Sequence, residues 1–356
     1  MKLSVIIPVY NIRDHIAQAI ASFCDQRRMD FELVVVDDGS TDDSLAVATK
    51  ALEREGAPPH KIISRSNSGV SSARNAGIRA AEGDYVCFID GDDYVAPDFA
   101  EKILDTIDAT EAFEVPGADI VCWQYDIVAE DRTVITAYSS KYGTSPGRMS
   151  GREALSRMVV DKSLMVWTGS AAYRKDFLRE AALWFTKGCI SGEDQEFIFK
   201  ALARAGRVFS IDSTLSFYVR RRGSISNRYD IGRFDSMAAL RRTLEYFLVV
   251  DGAGMAEVAK CFEANNIIDN YLYNIRSCLR NSDHHDIRRL LAEIEAAYPG
   301  LNAAMRSAMK RAIRAYRYNP LKIGAFLLSP RLYQLMMAMK AKRLKKTESS
   351  ENGGLL

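Results

Sequence analysis

Short apolar runs alternate with helix-like segments over residues 1–95. The runs are rich in β-branched residues, which is typical of strands, and they cover residues 3–8, 31–36, 61–64 and 85–89. Between the first two runs, apolar residues recur at near-helical intervals, at Ile12, Ile16, Ile20 and Phe23. This alternation predicts βα units, and therefore an α/β fold in which helices flank a mostly parallel sheet.

Polar loops follow three of these strands, at residues 10–11, 37–40 and 90–93. Ligands of open α/β sheets bind outside the carboxyl ends of the strands, so we expect the three loops to converge on one edge. Polar side chains in such loops also suit helix N-caps. We therefore predict caps for the first three helices at Asn11, at Ser40 or Thr41, and at Ser71 or Ser72.

The pattern becomes mixed near residue 119. It predicts helices at residues 152–160 and 193–204. It predicts strands at residues 120–128, 208–211 and 215–219. From residue 231 onward the chain has a helical pattern. We expect one α/β domain over residues 1–230, a helical region over 231–346 and a polar tail over 347–356.

Composition narrows the class of protein. Lys and Arg number 48 against 46 Asp and Glu, so the charge does not indicate a general nucleic-acid binder. The six cysteines lack the close spacing of a zinc site or a redox pair and are expected to be buried thiols in a reducing compartment. We predict neither a secretion signal nor an apolar run of the roughly 20 residues that span a membrane. These features favour the cytosol or the cytosolic face of a membrane.

The acidic cluster at residues 90–93 is the sharpest chemical signal. Asp90, Asp92 and Asp93 directly follow an apolar strand, where carboxylates repel one another unless a cation or solvent compensates them. A hard divalent ion held by one or two carboxylates and by substrate phosphates fits this chemistry. An acidic turn is the alternative, since Asp-Gly is a common turn pair.

Two further segments suit a nucleotide. Asp37 and Asp38 can accept hydrogen bonds from a uracil imide or from ribose hydroxyls, although helix capping explains the residues that follow them. The loop at residues 67–77 is rich in small residues and opens a helix. Its Gly69 allows a close approach of the backbone to a ligand, and Arg74 can reach a nucleotide or a neighbouring acidic site.

Four motifs together resemble those of family 2 glycosyltransferases of the GT-A fold. They occur in the family's order and spacing, at residues 5–11, 35–42, 67–77 and 85–93. The resemblance covers roughly residues 1–225. It implies a GT-A, Rossmann-like catalytic domain that binds a nucleotide-diphospho-sugar in about residues 1–118 and an acceptor in about residues 119–230.

The resemblance also implies roles for individual residues. The donor-binding positions are Pro8, Tyr10, Asp38, Arg74, Asp90, Gly91, Arg220 and Arg222. Asp90 and Asp92 form the DxD element, in which Asp92 binds the Mn²⁺ or Mg²⁺ that bridges the donor diphosphate. The implied donor is a UDP-sugar. The implied acceptor is a glycan or a lipid-linked hydroxyl in surface polysaccharide, lipopolysaccharide or wall glycopolymer biosynthesis.

A second acidic pair resembles the motif in which the family places its catalytic base. The resemblance implies that Asp194, beside Glu193, is the base of an inverting transfer. The helix dipole and nearby amides favour the ionised form of a carboxylate at a helix start, as a proton acceptor requires. Helix capping by a first-turn acidic pair is the alternative.

Residues 218–226 resemble the family's basic segment near the donor phosphates. Alternation along a strand points Arg220 and Arg222 to one side and Arg221 to the other, and a solvated basic loop is the alternative. Trp167 resembles a residue that borders the acceptor site. Its ring can stack on a sugar, although packing in the core is the commoner fate of such a side chain.

The C-terminal segment at residues 315–346 mixes aromatic and apolar residues with many cations. Pro320 and Pro330 divide it into pieces too short to span a bilayer. Such a composition suits a helix in the headgroup region of an anionic membrane. Packing of its apolar face on the protein, or in a homodimer interface, is an equal alternative.

Two other functions are alternatives to sugar transfer. A nucleotide-binding oxidoreductase requires the G-x-G-x-x-G fingerprint after the first strand, where this chain has Pro-Val-Tyr-Asn instead. A catalytically inactive sugar-binding or assembly subunit of the same fold is the remaining alternative. The presence of both Asp92 and Asp194 argues against it.

Overall fold

The computed structural model of the protein describes residues 1–142, 147–221, 229–251, 254–281, 286–314 and 320–339. The chain forms two compact units. The first comprises Met1–Ser224 and Ala238–Ala259, and the second comprises Ile225–Met237 and Lys260–Leu356. The boundary expected at residue 230 therefore lies inside Ile225–Met237, which belongs to the second unit. The next segment, Ala238–Ala259, belongs to the first unit again.

The strands in the described residues all belong to the first unit. They are β1 (Leu3–Val9), β2 (Phe31–Asp37), β3 (His60–Ser64), β4 (Tyr85–Phe88), β5 (Tyr94–Val95), β6 (Ile120–Ala129), β7 (Val134–Thr136), β8 (Gly147–Met149), β9 (Ala171–Arg174) and β10 (Val208–Arg220).

The helices of the first unit flank this sheet, and those of the second unit pack on one another. They are α1 (Ile16–Cys24), α2 (Ser44–Leu52), α3 (Val70–Ala80), α4 (Phe99–Phe113), α5 (Tyr138–Lys141), α6 (Gly151–Val159), α7 (Lys175–Glu180), α8 (Glu193–Arg204), α9 (Ser236–Val250), α10 (Ala256–Cys261), α11 (Ile268–Asn281), α12 (Ile287–Ala297), α13 (Leu301–Arg314) and α14 (Pro320–Leu328). A π-helical turn at Phe262–Ile267 joins α10 to α11, and residues 330–339 are also helical.

The sheet confirms the mostly parallel α/β fold. Its strand order is β3-β2-β1-β4-β9-β6-β10-β5, with β7 beside β6 and β8 beside β10. Strands β1 to β4 are mutually parallel, and β6 is parallel to β10. Strand β9, which the sequence pattern did not predict, is antiparallel to both β4 and β6 and joins the two parallel groups.

Strand register brings the expected loops to one edge. Val9 pairs with Asp37 at the ends of β1 and β2, and Ile6 pairs with Phe88 at the end of β4. All residues of β1, β2 and β4 are buried, as expected for central strands covered on both faces by helices. The chain therefore leaves the carboxyl ends of these three strands as polar loops on the same side of the sheet.

The predicted N-cap of the first helix was wrong. Helix α1 starts only at Ile16, and Asn11 instead adopts a left-handed backbone with φ of 51°. The side-chain oxygen of Asn11 accepts a hydrogen bond from the Thr41 amide at 2.8 Å, and the Asn11 amide donates to Ser40 Oγ at 3.2 Å. These side chains bond across the two loops rather than to their own helices, which ties the ends of β1 and β2 together.

The caps predicted for the second and third helices were also wrong. Helix α2 begins at Ser44, after Asp43, so neither Ser40 nor Thr41 is its N-cap. Helix α3 follows Gly69, whose φ of 85° is favoured only by glycine, and Ser71 and Ser72 lie inside the helix. By contrast, α8 begins and ends at the predicted residues.

The second unit buries part of the segment considered for membrane contact. Phe326 packs edge-on against Tyr271 and Tyr333, with ring centroids 6.1 and 5.4 Å apart, and Ile323 of the same helix is also buried. Residues 315–319 and 340–346 of that segment lie outside the described residues. Within the described part of the chain, we find no helix with the length and apolar character needed to cross a bilayer.

Candidate active site

The predicted donor residues of β1 have different environments. Pro8 is buried within the strand, whereas Tyr10, directly after it, is 49% exposed. The bonds between Asn11 and Thr41 fix the backbone next to this tyrosine. Tyr10 therefore presents an exposed aromatic ring at the carboxyl edge of the sheet.

Asp38 holds the loop that precedes α3. Its carboxylate accepts hydrogen bonds from the amides of Ser68 and Gly69, the latter at 2.7 Å, and pairs with Arg65 at 3.2 Å. Gly39 has a φ of 75°, and a Cβ at this position would lie 2.7 Å from the Asn67 amide nitrogen. This predicted donor residue thus shapes the loop beside the site, and its carboxylate is already bound by the chain.

The acidic cluster after β4 has one internal and two peripheral carboxylates. Asp93 is buried and accepts a hydrogen bond from the Val219 amide of β10 at 2.8 Å, and burial and the charge of Asp90 raise its pKa. Asp90 and Asp92 are partly exposed, with side-chain exposures of 32% and 19%. Gly91 permits this arrangement, because a Cβ there would lie 2.5 Å from Ile12 Cδ1.

A buried arginine connects this cluster to the second acidic pair. Arg74 of α3 donates from Nη2 to Asp90 at 2.8 Å and from Nη1 to Glu193 at 3.2 Å, while its guanidinium lies over the Phe185 ring. The side chain is only 4% exposed. Arg74, assigned above to donor binding, therefore lies beneath the two acidic groups and joins them.

The residue after Arg74 fixes the chain that leads to α8. The Asn75 amide donates to the Phe185 carbonyl at 2.8 Å, and its oxygen accepts from the Phe185 amide at 3.0 Å. Phe185 stacks on Phe197 of α8 with ring centroids 4.0 Å apart. These contacts set the position of the helix that carries Glu193.

Glu193 and Asp194 occupy the first turn of α8, after Gly192 in the left-handed region. Burial and the neighbouring Asp194 charge raise the pKa of Glu193 to about 7, against the opposing effect of Arg74. Burial likewise raises the pKa of Asp194, although Arg74 and the Gln195 amide favour its charged form. The helix start alone therefore does not keep this pair ionised, contrary to the prediction from the sequence, because burial acts more strongly in the opposite direction.

The basic segment reaches the acidic cluster through Arg221. Its guanidinium forms an ion pair with Asp92, whereas Arg220 is exposed at the end of β10. Arg222, the other arginine assigned to the donor, lies outside the described residues. The arginine that contacts Asp92 is therefore Arg221. The alternation of side chains along the strand had placed Arg221 on the side opposite to Arg220 and Arg222, the two arginines assigned to the donor.

Trp167 lies among aromatic residues on the other flank of the site. Its ring centroid is 5.1 Å from that of Tyr125 and 5.4 Å from that of Tyr218. Burial raises the pKa of Tyr125, and the charge of Asp194 contributes to the same shift. Trp167, half-buried and in contact with Tyr125, is thus part of the wall beside the acidic pair.

The sequence profile of Glycosyl transferase family 2 matches residues 4–181, which is half of the chain. This chain belongs to that family. It is a glycosyltransferase with a GT-A fold, as the four motifs implied.

Individual relatives agree with this assignment. The chain is 30% identical over 233 residues to the glycosyltransferase EpsJ of Bacillus subtilis, an alignment that covers 63% of this chain and 62% of EpsJ. It is 26% identical over 226 residues to the poly(ribitol-phosphate) β-N-acetylglucosaminyltransferase TarS of Staphylococcus aureus, which covers 62% of this chain and 36% of TarS. The chain thus spans less than two thirds of either relative's length.

Solved structures share the fold. TarS residues 1–349 in complex with UDP-GlcNAc superimpose with a TM-score of 0.63 at 22% identity, over 94% of this chain and 90% of that one. The mannosyltransferase PcManGT of Pyrobaculum calidifontis, in complex with GDP-Man and Mn²⁺, gives a TM-score of 0.52 at 18% identity, over 95% and 86% of the two chains.

The acidic cluster of this glycosyltransferase fits a divalent cation shared with a substrate. The described residues contain no group of three His, Cys, Asp or Glu side chains that could hold a metal ion. A cation that is also bound by substrate phosphates needs only one or two protein carboxylates. Asp90 and Asp92 are partly exposed carboxylates that would fit this requirement, and Asp92 already pairs with the cationic side chain of Arg221.

Sequence reasoning did not predict the contact of Arg221 with Asp92 or that of Tyr125 with Trp167. The double register shift of β10 against β6, between Ile211 and Ser216, changes which side chains of the strand reach the site. A bulge of this kind leaves no clear mark in a pattern of alternating residues. Tyr125 lies in a buried strand, where an aromatic residue is ordinarily part of the core.

We predict that Glu193→Gln stabilises the protein at pH 8 but not at pH 5. Folding raises the pKa of Glu193 from 4.5 to about 7. The folded state therefore binds more protons than the unfolded chain in this window, and its stability falls as the pH rises. Removing the charge should add roughly 1–3 kcal/mol at pH 8.

Urea unfolding at the two pH values checks this prediction. Glu55→Gln is the matched control, because Glu55 is an exposed residue at a turn. A gain of the same size at both pH values, or in the control, would contradict the raised pKa.

Proposed function

We propose that this glycosyltransferase moves a sugar, with inversion, from a UDP-sugar to a hydroxyl group of a glycan or lipid-linked acceptor. The observation that carries the proposal is the bridge from Asp90 through Arg74 to Glu193. It places the acidic cluster after β4 next to the acidic pair of α8. A donor diphosphate held at the first and an acceptor hydroxyl at the second would therefore meet.

Donor binding is assigned to residues of the sheet edge. The exposed ring of Tyr10 can stack on the nucleobase, and Arg221 can exchange its pairing with Asp92 for the donor phosphates. TarS, which shares the fold, binds UDP-GlcNAc in its structure, which supports a uridine nucleotide. Asp92, with Asp90, would hold the Mn²⁺ or Mg²⁺.

The transfer is a single displacement. Asp194 accepts the proton of the acceptor hydroxyl while its oxygen bonds to the anomeric carbon. The bond from that carbon to the diphosphate oxygen breaks, and the nucleotide diphosphate leaves with the electron pair. A divalent cation neutralises charge on such a leaving group. The raised pKa of Asp194 makes the ionised carboxylate a stronger base, and Arg74 maintains a population of that form.

The biological setting is proposed from the relatives. TarS acts on poly(ribitol-phosphate), and we propose that this chain works in surface polysaccharide, lipopolysaccharide or wall glycopolymer biosynthesis. An inactive sugar-binding subunit is the competing proposal. The buried Arg74 bridge argues against it, since a subunit that only binds sugar has no use for a base with a raised pKa.

We expect Asp92→Asn to weaken metal-dependent donor binding by roughly 10–100-fold, the range for a perturbed metal site. The change removes a negative charge and keeps the shape of the side chain. Isothermal titration in Mn²⁺ measures the effect, with the nucleotide sugar that gives the largest thermal shift as ligand. Asp105→Asn, on the exposed face of α4, is the control. Unchanged affinity in Asp92→Asn would remove Asp92 from the metal site.

Asp194→Asn should leave donor affinity nearly unchanged and lower the transfer rate by about 10²–10⁴-fold, as expected for the loss of a general base. Turnover with the same nucleotide sugar measures the effect, and Glu193→Gln is assayed in parallel. If Asp194→Asn retained nearly full activity while Glu193→Gln lost it, Glu193 would be the base. If neither wild type nor variants turned over any donor that binds, the inactive subunit would be the better description.

We also propose that the C-terminal helices contact an anionic membrane. Leu328 and Leu335 are 80% and 57% exposed, although Phe326 and Tyr333 on the same segment are buried. Exposed apolar residues beside cations such as Arg331 suit the headgroup region.

The Leu328→Glu, Leu335→Glu double variant should co-sediment less with anionic vesicles than wild type. These substitutions are preferable to truncation after Asn319, which would remove Phe326 and Tyr333 from the core of the second unit. The control pair Phe113→Glu and Val249→Glu makes the same charge change at residues 92% and 84% exposed in the first unit. Equal binding of both double variants and wild type would refute membrane contact through this segment.

A further inference from the structure

A third carboxylate near the start of α8 is held by two cations. Glu196 lies one turn after Glu193, and its side chain is only 2% exposed. Arg242 of α9 binds it as a fork, with Nε 3.0 Å from Oε1 and Nη2 2.6 Å from Oε2. Lys200, one turn further along α8, contacts Oε1 at 2.6 Å. Burial acts to raise the pKa of Glu196, but the hydrogen bonds from Arg242 and Lys200 lower it, so this carboxylate stays ionised.

The same guanidinium also reaches the chain that precedes the acidic pair. Arg242 Nη2 lies 3.5 Å from Cys189 Sγ, and the Cys189 thiol donates to the Ser191 carbonyl at 3.3 Å. Cys189 comes before Asp194 in the chain and Glu196 comes after it. Arg242 therefore contacts the chain on both sides of the proposed base. We call Arg242, Glu196 and Cys189 the α8 clamp.

Apolar contacts hold α9 on α8 independently of the α8 clamp. Phe199 and Phe247 pack edge-on with ring centroids 6.4 Å apart, and both are buried. Lys200 Nζ also lies 5.4 Å from the ring centroid of Tyr246. These contacts lie further along both helices than the fork of Arg242. Arg242 is therefore not needed to bring the helices together, and its fork acts on the first turns of α8.

Stability alone accounts poorly for such a fork. A buried ion pair adds little net stability, because the cost of desolvation offsets the attraction of the charges. Charge compensation does not require an arginine either, since Lys200 already contacts Glu196. A guanidinium that binds both carboxylate oxygens fixes their orientation, whereas an ammonium group is a point charge that does not. The fork of Arg242 thus suits the placement of α8 better than its stabilisation.

We propose that Arg242 is a positioning residue for Asp194. This inference rests on the proposed function, in which Asp194 accepts the proton of the acceptor hydroxyl. Arg242 holds the first turns of α8 through Glu196 and the approach to that helix through Cys189, and so fixes where the Asp194 carboxylate lies. Arg242 itself touches neither donor nor acceptor. A displacement of about 1 Å at a reacting group can lower the rate by about 10²-fold.

The first measurement is the turnover of Arg242→Lys, which keeps the positive charge and loses the fork. We expect kcat to fall by roughly 10–100-fold. The KM for the donor should change little, because Tyr10 and Asp92 follow β1 and β4 rather than α8. The assay follows UDP release from UDP-GlcNAc, UDP-glucose and UDP-galactose in Mn²⁺, with water as the acceptor.

The second measurement is hydrogen exchange of the backbone amides, which needs no substrate. In Arg242→Lys, the amides of residues 189–196 should exchange roughly 3- to 30-fold faster, because local opening of this segment becomes easier. Exchange in β1, β2 and β4 should stay as in the wild type. Unchanged exchange at residues 189–196 would show that the α8 clamp does not hold this segment, and would overturn the proposal.

Two control variants separate positioning from general damage. Arg241→Lys changes the exposed neighbour of Arg242 and should affect neither measurement. Arg174→Lys alters another ion pair with a buried carboxylate, that of Arg174 with Asp119 at 2.9 Å, and Arg174 pairs with Tyr85 at the amino end of β4. It should lower the urea midpoint without slowing turnover. If Arg174→Lys lowered kcat as much as Arg242→Lys, loss of stability would explain both effects.

A double-mutant cycle tests whether Arg242 acts through Glu196. Glu196→Gln keeps the shape of the side chain and removes the charge that the fork binds. In that background, Arg242→Lys should lower kcat by less than about 2-fold further, because residues that act together are not additive. Two full, additive losses would separate Arg242 from Glu196 and overturn the α8 clamp.

The outcomes also separate this inference from the proposed function. Absence of both donor binding and UDP release in the wild type would overturn the proposed function, whatever the exchange result. With an active wild type, an unchanged kcat or unchanged exchange in Arg242→Lys would overturn only the role of Arg242. A lower kcat with unchanged donor KM, faster exchange confined to residues 189–196 and non-additivity with Glu196→Gln together support it.

Discussion

The buried guanidinium of Arg74 is the interaction on which the site depends. The buried carboxyl groups of Glu193 and Asp194 lie near that of Asp90, and burial together with the neighbouring negative charges opposes the ionisation of Glu193 and Asp194. Arginine stays charged at every pH at which a protein is folded. Arg74 therefore supplies a permanent counter-charge, and the protonation of the surrounding acids can change without loss of the contacts that hold them.

The same arginine relates parts of the chain that are distant in sequence. Arg74 lies on α3, Asp90 follows β4 and Glu193 starts α8, so one side chain sets the spacing between the two ends of the site. Asn75 adds a pair of hydrogen bonds to the Phe185 backbone, and the ring of Phe185 supports both Arg74 and α8. Charge placement and packing thus come from two adjacent residues of one helix.

The sequence was sufficient to predict the sheet edge, and insufficient to predict how its side chains are paired. Central strands such as β1 and β2 are seven residues long, apolar and rich in β-branched residues, so their ends and the loops after them could be located. The pairing of Asn11 with Thr41 and of Asp38 with Ser68 depends on strand register, which local preferences do not encode. Local rules therefore assigned Asn11 to a helix cap that does not form.

The placement of β9 bears on how the enzyme can move. Because β9 is hydrogen-bonded to β4 on one side and to β6 on the other, the strand that precedes the acidic cluster and the strand that carries Tyr125 belong to one uninterrupted sheet. A cleft between separately folded lobes can open and close by hinge rotation, whereas a continuous sheet resists that motion. Within the first unit, we therefore expect the connecting loops to open for substrate entry and product release, with the strands acting as a rigid floor beneath them.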